Sequence, residues 1–196
     1  MDKKLFEKIF KEVERFTLLS EDRCFMLWQY ARYACRLPQG EVAEVGTYKG
    51  GSARLIAKTC PKVVHLFDTF SGIPYADVSV DSHKKGDFSD TSMEVVRNFL
   101  SDCDNVILHP GIFPSTTNWV KDKQFCFVHI DVDVYQSVRE CLGFFYPRTV
   151  RGGIIILDDY RWEKCPGVEK AITEFLATRP EIPIETTRYQ CVIIKI

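Results

Sequence analysis

The chain has 196 residues, with 26 Lys and Arg against 27 Asp and Glu and a hydrophobic fraction of 45%. These are the proportions of one ordinary globular domain, and a net charge of −1 with both signs mixed along the chain argues against a nucleic-acid surface or a polybasic membrane contact. No apolar run reaches the ~20 residues of a membrane span and the first residues lead into no secretory h-region, so a cytoplasmic location is expected.

Residues 3–16 place Leu5, Phe6, Ile9, Phe10, Val13 and Phe16 at helical spacing among charges of both signs, which predicts an amphipathic helix that packs on its own domain or joins a second copy as a homodimer. Ser20-Glu-Asp-Arg23 opens a second helix reaching Cys35. Residues 1–36 thus read as a helical segment packed on a domain of residues 37–196. Glu41-Val-Ala-Glu-Val45 predicts a buried strand, Gly46, Gly50 and Gly51 a turn whose N–H groups a ligand can approach, and Ser52 onward a helix. This turn is not the dinucleotide fingerprint, because Tyr48 stands where a Gly is needed. Cys60-Pro61 stops the helix, and Lys62–Phe67 is a second strand with Asp68 at its end.

Residues 72–90 form a polar excursion too long for a simple connector, either a mobile loop or a flap over a site. A helix follows over 91–100, a third strand over 105–109, a loop from Gly111, and a fourth strand over Phe125–Ile130 ending in Asp131-Val-Asp-Val-Tyr135. After a helix over 136–145, Gly152–Leu157 is a fifth strand ending in Asp158-Asp-Tyr160. A helix over 167–176 and a closing pair of strands, 184–187 and 190–196, complete the chain. Strands separated by helices predict an α/β fold, a mostly parallel sheet with helices on both faces and an antiparallel C-terminal pair. The eight cysteines show no Cys-x-x-Cys pair and read as reduced, space-filling thiols.

In such sheets ligands gather at the carboxyl ends of the strands. If the fourth and fifth strands are neighbours, Asp131, Asp158 and Asp159 converge, and three carboxylates together call for a hard cation such as Mg2+, Ca2+ or Mn2+. Asp133 is left outside that set, because alternation along the chain can point it elsewhere. Asp68 is placed to accept from a ribose diol or to cap a turn. Glu44, inside an apolar strand, needs a partner: a ligand amine, turn N–H groups, or a buried Arg or Lys. His65 and His109 read as core imidazoles, while the face used by His129 is left open. Asp131-Val-Asp133 also mimics the Asp-x-Asp of glycosyltransferases, and a non-catalytic cofactor-binding module is a third reading.

Five stretches taken together, Glu44–Ser52, Phe67–Pro74, Gly111–Thr116, Asp131–Ser137 and Gly152–Tyr160, resemble the macrocin O-methyltransferases, a family of class I S-adenosylmethionine-dependent enzymes. The first stretch is also similar to the corresponding loop of catechol O-methyltransferases. The resemblance implies a Rossmann-like fold in which Glu44, Gly46, Tyr48, Gly50, Gly51, Ser52 and Gly111 surround S-adenosylmethionine and Asp68 holds its ribose. It implies that Asp131, Asp158 and Asp159 hold Mg2+, with Asp131 also a proton acceptor, for methylation of a hydroxyl on a small molecule. Val134 occupies the position of the catechol enzymes' lysine base, so that form of base catalysis is not expected. The acceptor pocket is expected in the loops 72–90 and 160–166.

Overall fold

The computed structural model describes residues 3–196. Seven strands form one sheet in the order β3-β2-β1-β4-β5-β7-β6, where β1 is Glu41–Val45, β2 Val64–Asp68, β3 Val106–Pro110, β4 Phe125–Ile130, β5 Thr149–Asp158, β6 Ile184–Thr187 and β7 Gln190–Ile194. The first five are parallel; β7 runs antiparallel to both β5 and β6. The central strand β4 is buried at every residue, as an unbroken apolar run covered on both faces should be. The chain steps from β1 to β2 and β3 on one side and returns to β4 on the other. The order therefore reverses between β1 and β4, and a crevice opens at their carboxyl ends.

One face is covered by α1 (Lys3–Val13), α2 (Glu21–Ala34), α3 (Gly51–Thr59) and α4 (Met93–Phe99), the other by α5 (Tyr135–Phe145) and α6 (Pro166–Leu176). Much of the apolar side of α1 packs within its own chain: Phe6, Ile9 and Val13 are buried, and the Phe6 ring meets Phe10, Phe25 and Trp28. Leu5, at the same spacing, stays exposed. Among the described residues no helix is long and apolar enough to cross a membrane.

The cysteines depart from the expectation of free thiols. Cys35 and Cys60, which end α2 and α3, form a disulfide with their Cα atoms 5.8 Å apart; the other six are buried and free. The pairing comes from two helix ends meeting in space, a juxtaposition that no local spacing reports. His65 and His109 are buried as expected, but form a string: His65 Nε2 lies 2.6 Å from Glu41 Oε2 and its Nδ1 2.9 Å from His109 Nε2. Burial and the neighbouring His65 push the His109 imidazole down to about 4.

The end of the chain is held by Glu181, buried between Lys195 Nζ (2.8 Å), Tyr146 Oη (2.6 Å) and the Ile196 N–H (3.2 Å). Against the upward push of burial, these donors pull its carboxyl from 4.5 down to about 2. A carboxylate depressed on folding stabilises fully above its unfolded pKa, and that share is lost as pH falls through the folded value. Acid titration of unfolding between about pH 4.5 and 2 is expected to show a stability decline that is shallower in Glu181→Gln, measured by urea midpoints at each pH.

Candidate functional site

The switch point holds a cavity whose floor comes from the ends of β1, β2 and β4. Val45, Gly46, Thr47, Tyr48, Ser52, Phe67, Asp68, Gly111, Asp131, Val132 and Asp133 all line it. Gly46 (φ +91°) is required here because a Cβ would stand 1.8 Å from the Asp131 carbonyl oxygen; β1 and β4 can leave the sheet this close together only without a side chain. Asp68 organises the turn: Oδ2 accepts from the Thr47 and Tyr48 N–H groups at 2.7 and 2.8 Å, and Oδ1 from the Phe70 N–H at 2.7 Å. Glu44, Gly50 and Gly51 are not among the lining residues. Gly51 is small for a packing reason, since a Cβ there would meet the Phe16 backbone at 2.7 Å.

Further walls come from Phe16–Leu19 between α1 and α2 with Arg23 on α2, from Gly72–Tyr75 and Phe88 of the long excursion, and from Asp159 and Trp162 after β5. The excursion is therefore part of the cavity wall, and it is anchored. Asp81 Oδ1 accepts from the Tyr135 N–H at the start of α5 (2.8 Å), and Tyr75 Oη donates to Glu140. The contribution of Phe16–Arg23 was absent from the sequence reading. Nothing in a run of mixed polar and apolar residues says that it turns back over the sheet.

Behind the floor lies a chain of buried charges. His129, fully buried on β4, faces Glu44 Oε1 through Nδ1 (2.8 Å) and Asp158 Oδ2 through Nε2 (2.7 Å). With a carboxylate at each nitrogen both must carry hydrogen, which makes the ring an imidazolium. Burial alone would depress it, but the bonds to Asp158 and Glu44 hold it up at about 10. The partner that Glu44 required is thus a histidine rather than the Arg or Lys considered from sequence. Its second oxygen, Oε2, is buried without a hydrogen-bond partner, as is Thr47 Oγ1 on the same turn.

Asp131, Asp158 and Asp159 do converge, because β4 and β5 are neighbours. The geometry sorts them differently from the expected trio, however. Asp158 is drawn toward His129, Arg23 Nη1 (3.1 Å) and Gln190 Nε2 (3.2 Å). Asp133, left outside the expected set, joins Asp131 and Asp159 with carboxylate oxygens all within 4.8 Å, while Asp131 also groups with His129 and Asp158. Asp133 lies two residues beyond Asp131, on the side that period-2 alternation shares with it, so alternation gives no ground for setting it apart; in the loop after β4 its backbone is left-handed at φ 61°. Burial first, and then the charges of Asp158 and Asp159, push the Asp131 carboxyl well above its ordinary value. Asp133 and Asp159 are raised by burial and neighbouring carboxylates in the same way. Arg23 Nη1 also reaches Asp159 at 3.2 Å. Among the described residues, the five carboxylates Glu44, Asp131, Asp133, Asp158 and Asp159 are faced by the His129 imidazolium and the Arg23 guanidinium, with the His83 ring 3.9 Å from Asp133.

Comparison with known proteins places this geometry in context. The family model described as Macrocin-O-methyltransferase (TylF) matches residues 34–195. Demethyldecarbamoylnovobiocin O-methyltransferase of Streptomyces niveus is 28% identical over 155 residues, 70% of this chain and 58% of that protein. Mycinamicin III 3''-O-methyltransferase of Micromonospora griseorubida is 31% identical over 157 residues, 69% of this chain and 60% of that protein. The chain thus spans under two thirds of the length of these relatives. Among solved structures, the O-methyltransferase NovP superposes with a TM-score of 0.77 at 24% identity, covering 92% of this chain and 82% of its own. A calicheamicin methyltransferase superposes at 0.73 and 16% identity, covering 98% and 92%. At these identities the likeness is one of fold, and it is the Rossmann-like fold expected from sequence.

Proposed function

The chain belongs to the macrocin O-methyltransferase family, and from that membership we propose that it transfers a methyl group from S-adenosylmethionine to a hydroxyl of a small molecule, a sugar or another natural product, with the help of a divalent cation. The observation that carries this reading is the shortage of positive charge at the cavity floor. Five carboxylates against His129, Arg23 and the more distant His83 ring leave an excess of negative charge that a ligand ammonium and a divalent ion can take up. When bound, S-adenosylmethionine supplies the electrophilic methyl group, and Mg2+ or a similar ion supplies the Lewis acidity that eases loss of the acceptor's proton.

The residues divide that work. Thr47 Oγ1, in the cavity wall and without a partner, fits the amino-acid end of the cofactor, with Gly46, Tyr48 and Ser52 beside it and the equally unpartnered Glu44 Oε2 behind them. Gly50 and Gly51 act indirectly, by letting the turn and α3 pack. Asp68 keeps the turn in place while facing the ribose, and Gly111 (φ +127°) lets the loop after β3 pass close to it. The oxygen-donor set suits Mg2+, and the cavity-facing Asp131, Asp133 and Asp159 hold it, with Asp158 steering through His129. Asp131 is the proposed proton acceptor, since it alone belongs to both acidic groupings and lines the cavity. Orientation of the hydroxyl against the methyl, rather than a protein nucleophile, provides most of the acceleration.

Titration calorimetry with S-adenosylhomocysteine, with and without Mg2+, tests the reading. Saturable binding is expected, and separate titration with Mg2+ should show one site. Failure of S-adenosylhomocysteine to bind under either condition would reject the reading. Binding with no Mg2+ site would remove the metal from it.

A further inference from the structure

We propose that His83, Asp133 and Cys165 form a second metal site, selective for a soft divalent ion such as Zn2+ and sharing Asp133 with the oxygen-only grouping of aspartates. It lies where three segments meet: the excursion before α4, the loop after β4 and the residue that caps α6. His83 Nε2 stands 3.9 Å from Asp133 Oδ1, and Cys165 Sγ is also 3.9 Å from that oxygen. All three donor atoms lie within 4.8 Å of one another. Tetrahedral bonds of ~2.0–2.3 Å space their donors roughly 3.3–3.8 Å apart, so a small contraction closes the trio around an ion.

Two further observations point to an occupant. His83 Nε2 is buried and has no hydrogen-bond partner. It faces a carboxylate oxygen that is itself an acceptor, an arrangement that a cation between them relieves. The other ring nitrogen, Nδ1, lies 3.2 Å from Asp87 Oδ2, the carboxylate–imidazole pairing that orients a metal-binding histidine and fixes its tautomer. That carboxylate is in turn held by the Lys84 N–H at 3.1 Å. Nitrogen, oxygen and sulfur together suit Zn2+ or Co2+ and not Mg2+. Three protein ligands leave a fourth position for water. On binding, the Cys165 thiol gives its proton to solvent and the thiolate sulfur takes the ion, with no change of oxidation state. An ion held there ties the excursion to the ends of β4 and α6, closing one side of the cavity. The site needs no cofactor and shares only Asp133 with the oxygen-only grouping, and a sulfur-specific signal reads it whether or not the methyltransferase reading holds.

Cobalt is the probe. Among the described residues the two other groupings that could hold an ion contain no sulfur, so a thiolate-to-cobalt charge-transfer absorption reports Cys165. Titrating the whole protein with Co2+ under nitrogen, in excess Mg2+, is expected to produce that band with one equivalent and to lose it on adding Zn2+. Cys165→Ser, close to the native shape, should abolish the band, His83→Gln should weaken Co2+ binding at least about tenfold, and Asp87→Asn about 10- to 100-fold. Circular dichroism and thermal melting establish that each variant is folded. Absence of the band in the folded parent protein, or a band unchanged in Cys165→Ser, would overturn the proposal.

Discussion

The His129→Leu variant is expected to unfold roughly 6–20 °C below the parent protein, a loss of about 3–5 kcal/mol. Leucine fits the volume but leaves Glu44 and Asp158 as buried carboxylates without the cation that faces both of them. The cost arises from stranding charges rather than from losing two bonds, so it exceeds the usual worth of a hydrogen bond. A pH series separates the two. A histidine raised from 6.5 to about 10 contributes stability that is complete below its unfolded pKa and is lost as pH rises through its folded value. The parent's urea midpoint should therefore fall between about pH 6.5 and 10, and in His129→Leu that decline should be largely absent. Equal alkaline declines in both proteins would show that the ring does not carry the charge.

Asp131→Asn should cut methyl transfer by about 10²- to 10⁴-fold while leaving affinity for S-adenosylhomocysteine within roughly threefold. Asparagine keeps the shape of the side chain but removes the negative charge and the proton-accepting oxygen. The turn proposed to meet the cofactor is held separately by Asp68, which is why binding and turnover should part company. Conversion of S-adenosylmethionine to S-adenosylhomocysteine in the presence of an accepted hydroxyl compound and Mg2+ measures the first quantity, and calorimetry the second. An Asp131→Asn protein with undiminished turnover would remove Asp131 from the chemistry. Asp158→Asn provides the contrast: its effect should include a stability loss, because Asp158 is bonded to His129, Arg23 and Gln190.

The strands of the parallel sheet were legible because buried apolar runs bounded by Gly, Pro and Asp have few other solutions, and each appears within about two residues of its expected ends apart from β5. That strand begins three residues earlier than expected, at Thr149, since Arg151 and Gly152 look unlike strand residues and lie in the irregularity between the Thr149–Phe125 and Ile154–Phe127 pairs, where the Gly152 N–H bonds the Lys195 carbonyl instead. Asp131, Asp158 and Asp159 were found by the same logic: acidic residues at strand ends collect wherever neighbouring strands are parallel. Asp133 was not, although residues two apart share a side and alternation therefore places it beside Asp131, where the folded chain groups it.

Local pattern thus determined the α/β class, the strand and helix sequence, the glycine turn and most of the acidic floor, since each is written in the spacing of residues close along the chain. Tertiary structure alone decided that Arg23 answers Asp158 and Asp159 across 135 and 136 residues, that His129 rather than Arg or Lys neutralises Glu44, that Cys35 meets Cys60, and that His83 reaches Asp133. The physical reason is common to all four. Side-chain partners of buried charges and thiols are chosen by where packed elements bring atoms within a few ångströms, and a periodic pattern carries the face of an element but not its neighbour.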